Sequence, residues 1–251
     1  MTLTIKIKEK FYLNKHDNLK INVLKNVNFK VKSNEFICIV GPSGCGKTTL
    51  MNMIGGIVSL DQNQVEMIKQ QKNSKEDNFG YVFQTSRLLP WLTVMENVEL
   101  VCEKKKIDKK KIVNLLKSFG LEDFINFYPK SISGGMRRKV ALARALINDP
   151  SVLLMDEPFV SLDQPTSENL YEVLINYKKK NPITVIFITH VLKEALLLGD
   201  RILFFSKNPG TIVFDYKVNS KKKPLTLDNI SIDKEYKVLK KRHPQLLQGL
   251  I

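Results

Sequence analysis

Gly41, Gly46, Lys47 and Thr48 fit the pattern G-x-x-x-x-G-K-[ST], the spacing of a loop that holds phosphate. Glycines there let successive backbone N–H groups turn inward around phosphate oxygens, and a helix that starts at once points its positive end at the same place. Within Gly41-Pro42-Ser43-Gly44-Cys45-Gly46-Lys47-Thr48-Thr49, Lys47 has the reach for β- and γ-phosphates, and the Thr48 hydroxyl suits Mg²⁺. Cys45 stands at a helix start two residues from Lys47, and both features favour the thiolate, so it is expected to alkylate faster than Cys38 and to be protected by a bound nucleotide.

Other residues gain meaning beside that loop. Asp156-Glu157 ends the apolar run Val152-Leu153-Leu154-Met155, where one carboxylate can hold Mg²⁺ and its neighbour can take a proton from water. Gln84 follows Phe79-Gly80-Tyr81-Val82-Phe83 and can touch a metal ion and a water from the end of a strand. His190 follows Ile183–Thr189 at a similar tip and can reach a γ-phosphate. Ser133-Gly134-Gly135 opens an Ala-rich helical run, a second helix start with exposed amides and hence a second anion site without a lysine. Phe11-Tyr12 places aromatic rings upstream of the phosphate loop, where a base could stack.

The surrounding elements are legible from periodicity. Residues 2–8 and 23–31 alternate as half-buried strands, with a turn at Ser33-Asn34 before the apolar strand 36–40. Residues 56–80 are polar and carry at most one weak strand. Residues 93–127 show helical spacing at Val94, Val98 and Val101, then Ile112, Leu115, Leu116 and Phe119, with breaks at Gly120 and Pro129. A helix over about 166–180 leads to a buried strand at 183–188, and Asn208-Pro209-Gly210 signals a type II turn between strands at 201–205 and 211–214. A short helix is expected near Lys234 to Lys241.

Composition narrows the class. With 43% hydrophobic and 26% charged residues the chain reads as an ordinary globular protein. No apolar run approaches the ~18–20 residues that span a bilayer, and the polar start Met1–Lys6 is not a secretory signal. Cys38, Cys45 and Cys102 form neither a metal-ligand spacing nor an even disulfide set. The net charge of +15 raises the question of nucleic acid, but the excess is mostly lysine in short scattered runs such as Lys104–Lys106 and Lys221–Lys223, which reads as a solvated surface.

The order phosphate loop, Gln84, Ser133-Gly134-Gly135, Asp156-Glu157, Asp163, His190 resembles the nucleotide-binding subunit of ABC transporters over nearly the whole chain. The resemblance implies an α/β fold: a phosphate-loop, RecA-like mixed sheet with helices on both faces, an N-terminal antiparallel β-subdomain and an inserted α-helical subdomain. One nucleotide-binding domain is expected, with its core over 1–86 and 150–217, the helical insertion over 87–149 and a basic tail over 218–251. It implies ATP hydrolysis with Mg²⁺ held by Thr48, Gln84 and Asp156, Glu157 as general base, and His190 as switch histidine. Lys47 and the loop from Gly41 to Thr49 would hold the phosphates, and Phe11, or alternatively Tyr12, the adenine. Two subunits would pair head to tail, with Ser133, Gly134 and Gly135 closing on the partner's ATP and Asp163 lying across the dimer.

Arg87-Leu88-Leu89-Pro90-Trp91, Thr93-Val94 and Glu96-Asn97-Val98, with Met136 and the Asn208-Pro209-Gly210 turn, are similar to the importer branch for nitrate, sulfonate, taurine and related solutes, which also serves pyrimidine-type vitamin precursors. Ile132, Val160 and Val191 stand where leucine, serine and aspartate are common in the family. The partners implied are a second such subunit, an integral membrane permease and, through it, a solute-binding protein, at the cytoplasmic face of the cell membrane. No nucleic acid is expected; the competing readings are an ABC-type ATPase working on nucleic acid or ribosomes, and a stand-alone kinase or GTPase, which leaves Ser133-Gly134-Gly135 unused. In the importer reading Trp91 faces the permease, and otherwise it packs internally.

Overall fold

The computed structural model describes residues 2–13, 19–58, 65–70, 78–103, 107–219 and 226–245. The elements in chain order are β1 (Thr2–Leu13), β2 (Lys20–Lys32), β3 (Phe36–Val40), α1 (Lys47–Ile54), β4 (Val65–Gln70), β5 (Phe79–Val82), α2 (Val94–Glu99), α3 (Lys109–Ser118), α4 (Gly134–Leu146), β6 (Val152–Asp156), α5 (Gln164–Lys180), β7 (Thr184–Thr189), α6 (Leu192–Leu198), β8 (Arg201–Phe205), β9 (Ile212–Lys217) and α7 (Ile230–Arg242). They fall into two compact units, one of Met1–Lys75 with Thr184–Ile251 and one of Glu76–Ile183. The lysine runs 104–106 and 221–223 lie outside the described residues, as do 59–64 and 71–77 of the polar stretch.

The first unit holds two sheets. In one, the antiparallel order is β2-β1-β4, with β1 paired to β2 from Thr2↔Lys32 to Leu13↔Lys20 and to β4 around Ile5↔Ile68. Alternation puts Val27, Phe29 and Val31 on the buried face of β2, and the alternation is interrupted at Asn26, φ 51, before the buried Leu24. In the other sheet β7, β3, β8 and β9 are neighbours in that order, the first three parallel and β9 antiparallel to β8. All five residues of β3 are buried, which is why it reads as an unbroken apolar run.

The β8–β9 connection is a hairpin, but Gly210 does not take the positive φ that a type II turn needs at its third residue, so the turn is not the type II turn that the sequence suggested. α7 is longer than the helix expected over 234–241, because Asn229 caps it by accepting from the Ser231 and Ile232 amides. It is held to its own unit by the Lys193–Asp233 ion pair at 2.7 Å and by the Tyr216 hydroxyl donating to Glu235 at 2.6 Å. Burial first, and then Glu235, push the Tyr216 phenol up to about 12.

The second unit contains the parallel pair β5-β6, in register at Val82↔Met155, with α2 to α5. Val94, Val98, Ile112, Leu116 and Phe119 are buried, as their helical spacing predicts, and Leu115 is half-buried, whereas Val101 is exposed because α2 has already ended at Glu99. Gly120, at φ 66, ends α3 in the left-handed region that glycine adopts at no steric cost. Pro129 starts a 3-10 turn over Pro129–Ser131 that leads into Ser133. Among the described residues no helix is long and apolar enough to cross a membrane.

Candidate functional site

The phosphate loop runs from the end of β3 into α1 as its motif requires. Gly44 and Gly46 have φ of 76° and 94°, so the loop turns twice through backbone space that side-chain-bearing residues rarely enter. A methyl added at Gly46 would meet Leu24 and Val23 at 2.8 Å, and one added at Gly41 would meet Phe205 at 2.9 Å. α1 begins on Gly46 with no side-chain cap, leaving its first amides to whatever anion the loop receives. Lys47 is only 5% exposed and donates to the Gly41 and Pro42 carbonyls at 2.9 and 2.8 Å, which pins its ammonium at the mouth of the loop. Pro42, Ser43, Thr48 and Thr49 all keep some exposure, with Ser43 and Thr48 the most open.

The sequence did not disclose what backs this loop. Gly210 donates to the Val23 carbonyl at 2.8 Å and accepts from Lys25 at 3.0 Å, and it lies so close to the Cys45 carbonyl that any side chain there would overlap it. The residues Val23–Lys25 and Gly210 therefore form the wall of the loop, a contact across more than a hundred and fifty residues of chain. Cys45 is packed into that wall at 1% exposure, and burial pushes its thiol up against the opposing pull of Lys47. The expectation of a reactive Cys45 thiolate is thus corrected: desolvation outweighs the neighbouring ammonium.

Phe11 and Tyr12 lie at the end of β1, opposite Asn22 and Ile21, one strand from the residues that touch Gly46. The Lys20 ammonium stands 4.1 Å from the Phe11 ring, while Tyr12 is exposed. His190, also in the first unit, follows the tip of β7 and is exposed. The turn beneath it is fixed by Thr189, which donates to Glu194 at 2.5 Å and accepts from the Val191 amide at 3.0 Å.

In the second unit Asp156 is the last residue of the fully buried β6, and Glu157 follows it at φ 42. That left-handed turn breaks the strand direction at the carboxylate and costs about 1–2 kcal/mol for a residue with a Cβ. Asp156 also contributes, after burial, to pushing the Tyr81 phenol of neighbouring β5 above its ordinary range. Gln84 is exposed just beyond β5. Thr48, Gln84 and Asp156 offer hydroxyl, amide and carboxylate oxygens, the hard donors that Mg²⁺ takes. Among the described residues no three His, Cys, Asp or Glu side chains gather where they could hold a metal ion.

Ser133 caps α4, its hydroxyl accepting from the Met136 amide at 3.1 Å. Arg137 satisfies the Pro129 and Ile132 carbonyls at 3.2 and 2.8 Å, and Ile132 is buried, so the turn is anchored from inside while Ser133 and Gly134 stay exposed. Gly135 lies against the Thr166 methyl so closely that a side chain would not fit. Thr166 is in the first turn of α5, whose cap is Asp163, accepting from the Thr166 amide at 3.4 Å. The Thr166 hydroxyl and amide hold the Asp163 carboxyl below the usual carboxylate range.

Trp91 is 68% exposed, so the internal-packing reading is overturned. Its loop is ordered by Asn97, which is fully buried: its carbonyl accepts from Leu89, and its amide donates to the carbonyls of Leu89, Leu92 and Thr93 at 3.1, 3.0 and 2.9 Å. Thr93 and Glu96 form a reciprocal capping box at the start of α2.

Residues 24–160 match the family model described as ABC transporter. The aliphatic sulfonates import ATP-binding protein of Bacillus anthracis is 42% identical over 193 residues, 76% of this chain and 77% of that protein. The taurine import ATP-binding protein of Pelagibacter ubique is 38% identical over 225 residues, 88% of this chain and 82% of that protein. Among solved structures, a dimeric bacterial ABC transporter cassette superposes with a TM-score of 0.73 at 32% identity, covering 88% of this chain and all of that one. A dimeric post-hydrolysis cassette bound to ADP and Pi superposes at 0.71, with the same identity and coverage.

Proposed function

The chain belongs to the ABC transporter family as an ATP-binding cassette and ATPase, and on that premise we propose that it powers an importer of a small solute such as nitrate, a sulfonate or taurine. Lys47 and the loop from Gly41 to Thr49, through its backbone N–H groups other than at Pro42, bind the phosphates of ATP, and Phe11, or else Tyr12, stacks on adenine. Glu157, turned off the strand direction, accepts the proton of the attacking water, and His190 stabilises the γ-phosphate. Thr48, Gln84 and Asp156 would hold Mg²⁺, which when bound offsets phosphate charge. Ser133, Gly134 and Gly135 close over the ATP of a second subunit, with Asp163 across that interface, and a solute-binding protein delivers cargo to the permease.

The observation that carries the importer reading is Trp91, seven residues past Gln84, exposed on a loop that the buried Asn97 orders. A large exposed aromatic on an ordered loop is suited to anchor a partner, here a cytoplasmic segment of a membrane permease. Trp91→Ala is expected to leave basal ATPase activity intact and abolish copurification with the permease and stimulation by it in lipid. Stimulation by RNA, with a steep salt dependence and untouched at Trp91, would overturn this reading in favour of a nucleic-acid enzyme.

A further inference from the structure

The backbone from Phe83 to Arg87 leaves β5 and enters no further strand or helix, so its carbonyls need donors from elsewhere. Two arginines of α4 supply them. Arg138 donates to the Phe83 carbonyl at 3.1 Å through one guanidinium nitrogen and to the Gln84 carbonyl through the other. Arg144 donates to the Ser86 carbonyl at 2.8 Å and to the Arg87 carbonyl at 2.9 Å. Each planar fork thus bridges two carbonyls, one pair on either side of Thr85.

Arg138 and Arg144 are six residues apart on α4, roughly 9 Å along the helix, so the two forks reach the loop at separate points. The loop also closes on itself: Arg87, at φ 45, lays its guanidinium 3.9 Å from the Phe83 ring, which stacks on Tyr81 at 4.1 Å. Both α4 arginines are partly desolvated, which lowers their pKa but leaves the guanidinium charged, so water competes weakly for these bonds. α4 is the helix that Ser133 caps, so its far end carries the exposed turn assigned above to the partner's nucleotide.

We propose that Arg138 and Arg144 are positioning residues that fasten the Gln84 loop to the Ser133-capped helix, so that Gln84 and the Ser133-Gly134-Gly135 turn move as one piece. Neither arginine touches substrate. The inference rests on the roles given to Gln84 and Ser133 in the proposed function, but the fastening itself is a property of one unit of the fold. A signal arriving at Gln84 would be passed to the turn that closes the neighbouring site through four carbonyls held by two guanidinium groups.

The test uses the purified full chain, with Arg144→Met and Arg138→Met keeping stem length while removing the donors. In the nucleotide-free protein, tryptic cleavage after Arg87 should accelerate at least about tenfold in either variant, while cleavage at sites in the first unit stays as in wild type. ATP concentration at half-maximal turnover should change by less than about twofold, whereas kcat should fall about tenfold. In a Gln84→Ala background the arginine substitutions should add nothing further to the loss, because they act through the loop that Gln84 heads. Arginine effects that multiply with Gln84→Ala, as general destabilisation would produce, overturn the coupling, and unchanged cleavage after Arg87 overturns the fastening. If Gln84→Ala alone leaves turnover untouched while cleavage still accelerates in the arginine variants, the role given to Gln84 fails and the fastening stands.

Discussion

Two helix starts in this chain face the same physical problem and solve it differently. α1 begins on Gly46, a glycine at φ 94 with no capping side chain and a buried lysine beside it; α4 begins on Ser133, whose hydroxyl caps the helix, with no lysine in the turn. The first leaves its amides open and encloses a cation, which makes a complete anion cradle within one chain. The second is stabilised by its own serine and exposes only a dipole end and two glycines, too little for tight anion binding alone. Under the proposed function the difference would account for two anion sites with one lysine between them, one binding by itself and the other completing a site supplied by a second subunit.

The largest test of that division is chemical. Glu157→Gln should keep ATP affinity and lower turnover by about 10²–10⁴-fold, the usual worth of a positioned general base. Its product should be an ATP-bound dimer, seen as a doubling of mass by light scattering. In that trapped background the two helix starts can be read separately, since Lys47→Ala should weaken ATP binding itself and Ser133→Ala only dimer formation. Wild-type turnover in Glu157→Gln would remove the base from the mechanism.

Lys47→Ala is expected to weaken ATP binding about 100-fold, the loss of charge-assisted hydrogen bonds to phosphate at 1.5–3 kcal/mol each. Ser133→Ala should cost about 1 kcal/mol of stability as a lost helix cap and leave ATP affinity of the isolated subunit within about twofold. Equilibrium binding of labelled ATP to monomeric protein decides between them. Equal losses from both substitutions would mean that the Ser133 turn serves the nucleotide of its own chain, and the contrast between the two starts would fall.

Much of this was readable beforehand because it is local. The strand, loop and helix around Gly41–Thr49 follow each other within 19 residues from Phe36 to Ile54, and the capped turn before α4 is announced by Ser133 and two glycines. The roles of Asn97 and of Arg138 and Arg144 were not readable, because long or amide side chains look solvated until the backbone they serve is placed beside them. The wall made by Gly210 was hidden for the same reason: a glycine in a hairpin signals a turn, and nothing in the sequence ties it to Val23 or Cys45. The elongated α7 escaped because its capping Asn229 stands at the end of a polar stretch with no strong periodic signal.

The smallest effect probes the wall of the α1 cradle through Cys45. Reading outward from the sequence, the nearby ammonium and the helix start should lower its pKa; in the structure the thiol faces Gly41, is buried, and is raised. A raised thiol pKa means less thiolate at any pH below it, and burial also blocks the reagent, so both terms slow alkylation. Cys102, partly exposed, is raised by a smaller degree of burial and by Glu99, and keeps an open path to solvent. At pH 8 in native protein Cys102 should therefore alkylate about tenfold faster than Cys45 or more, with the two rates converging in denaturant. Peptide mass mapping over a time course reads both sites at once. Faster labelling of Cys45 than of Cys102 would show that the wall formed by Val23 and Gly210 opens in solution, and the cradle would then be no more pre-formed than the turn at Ser133.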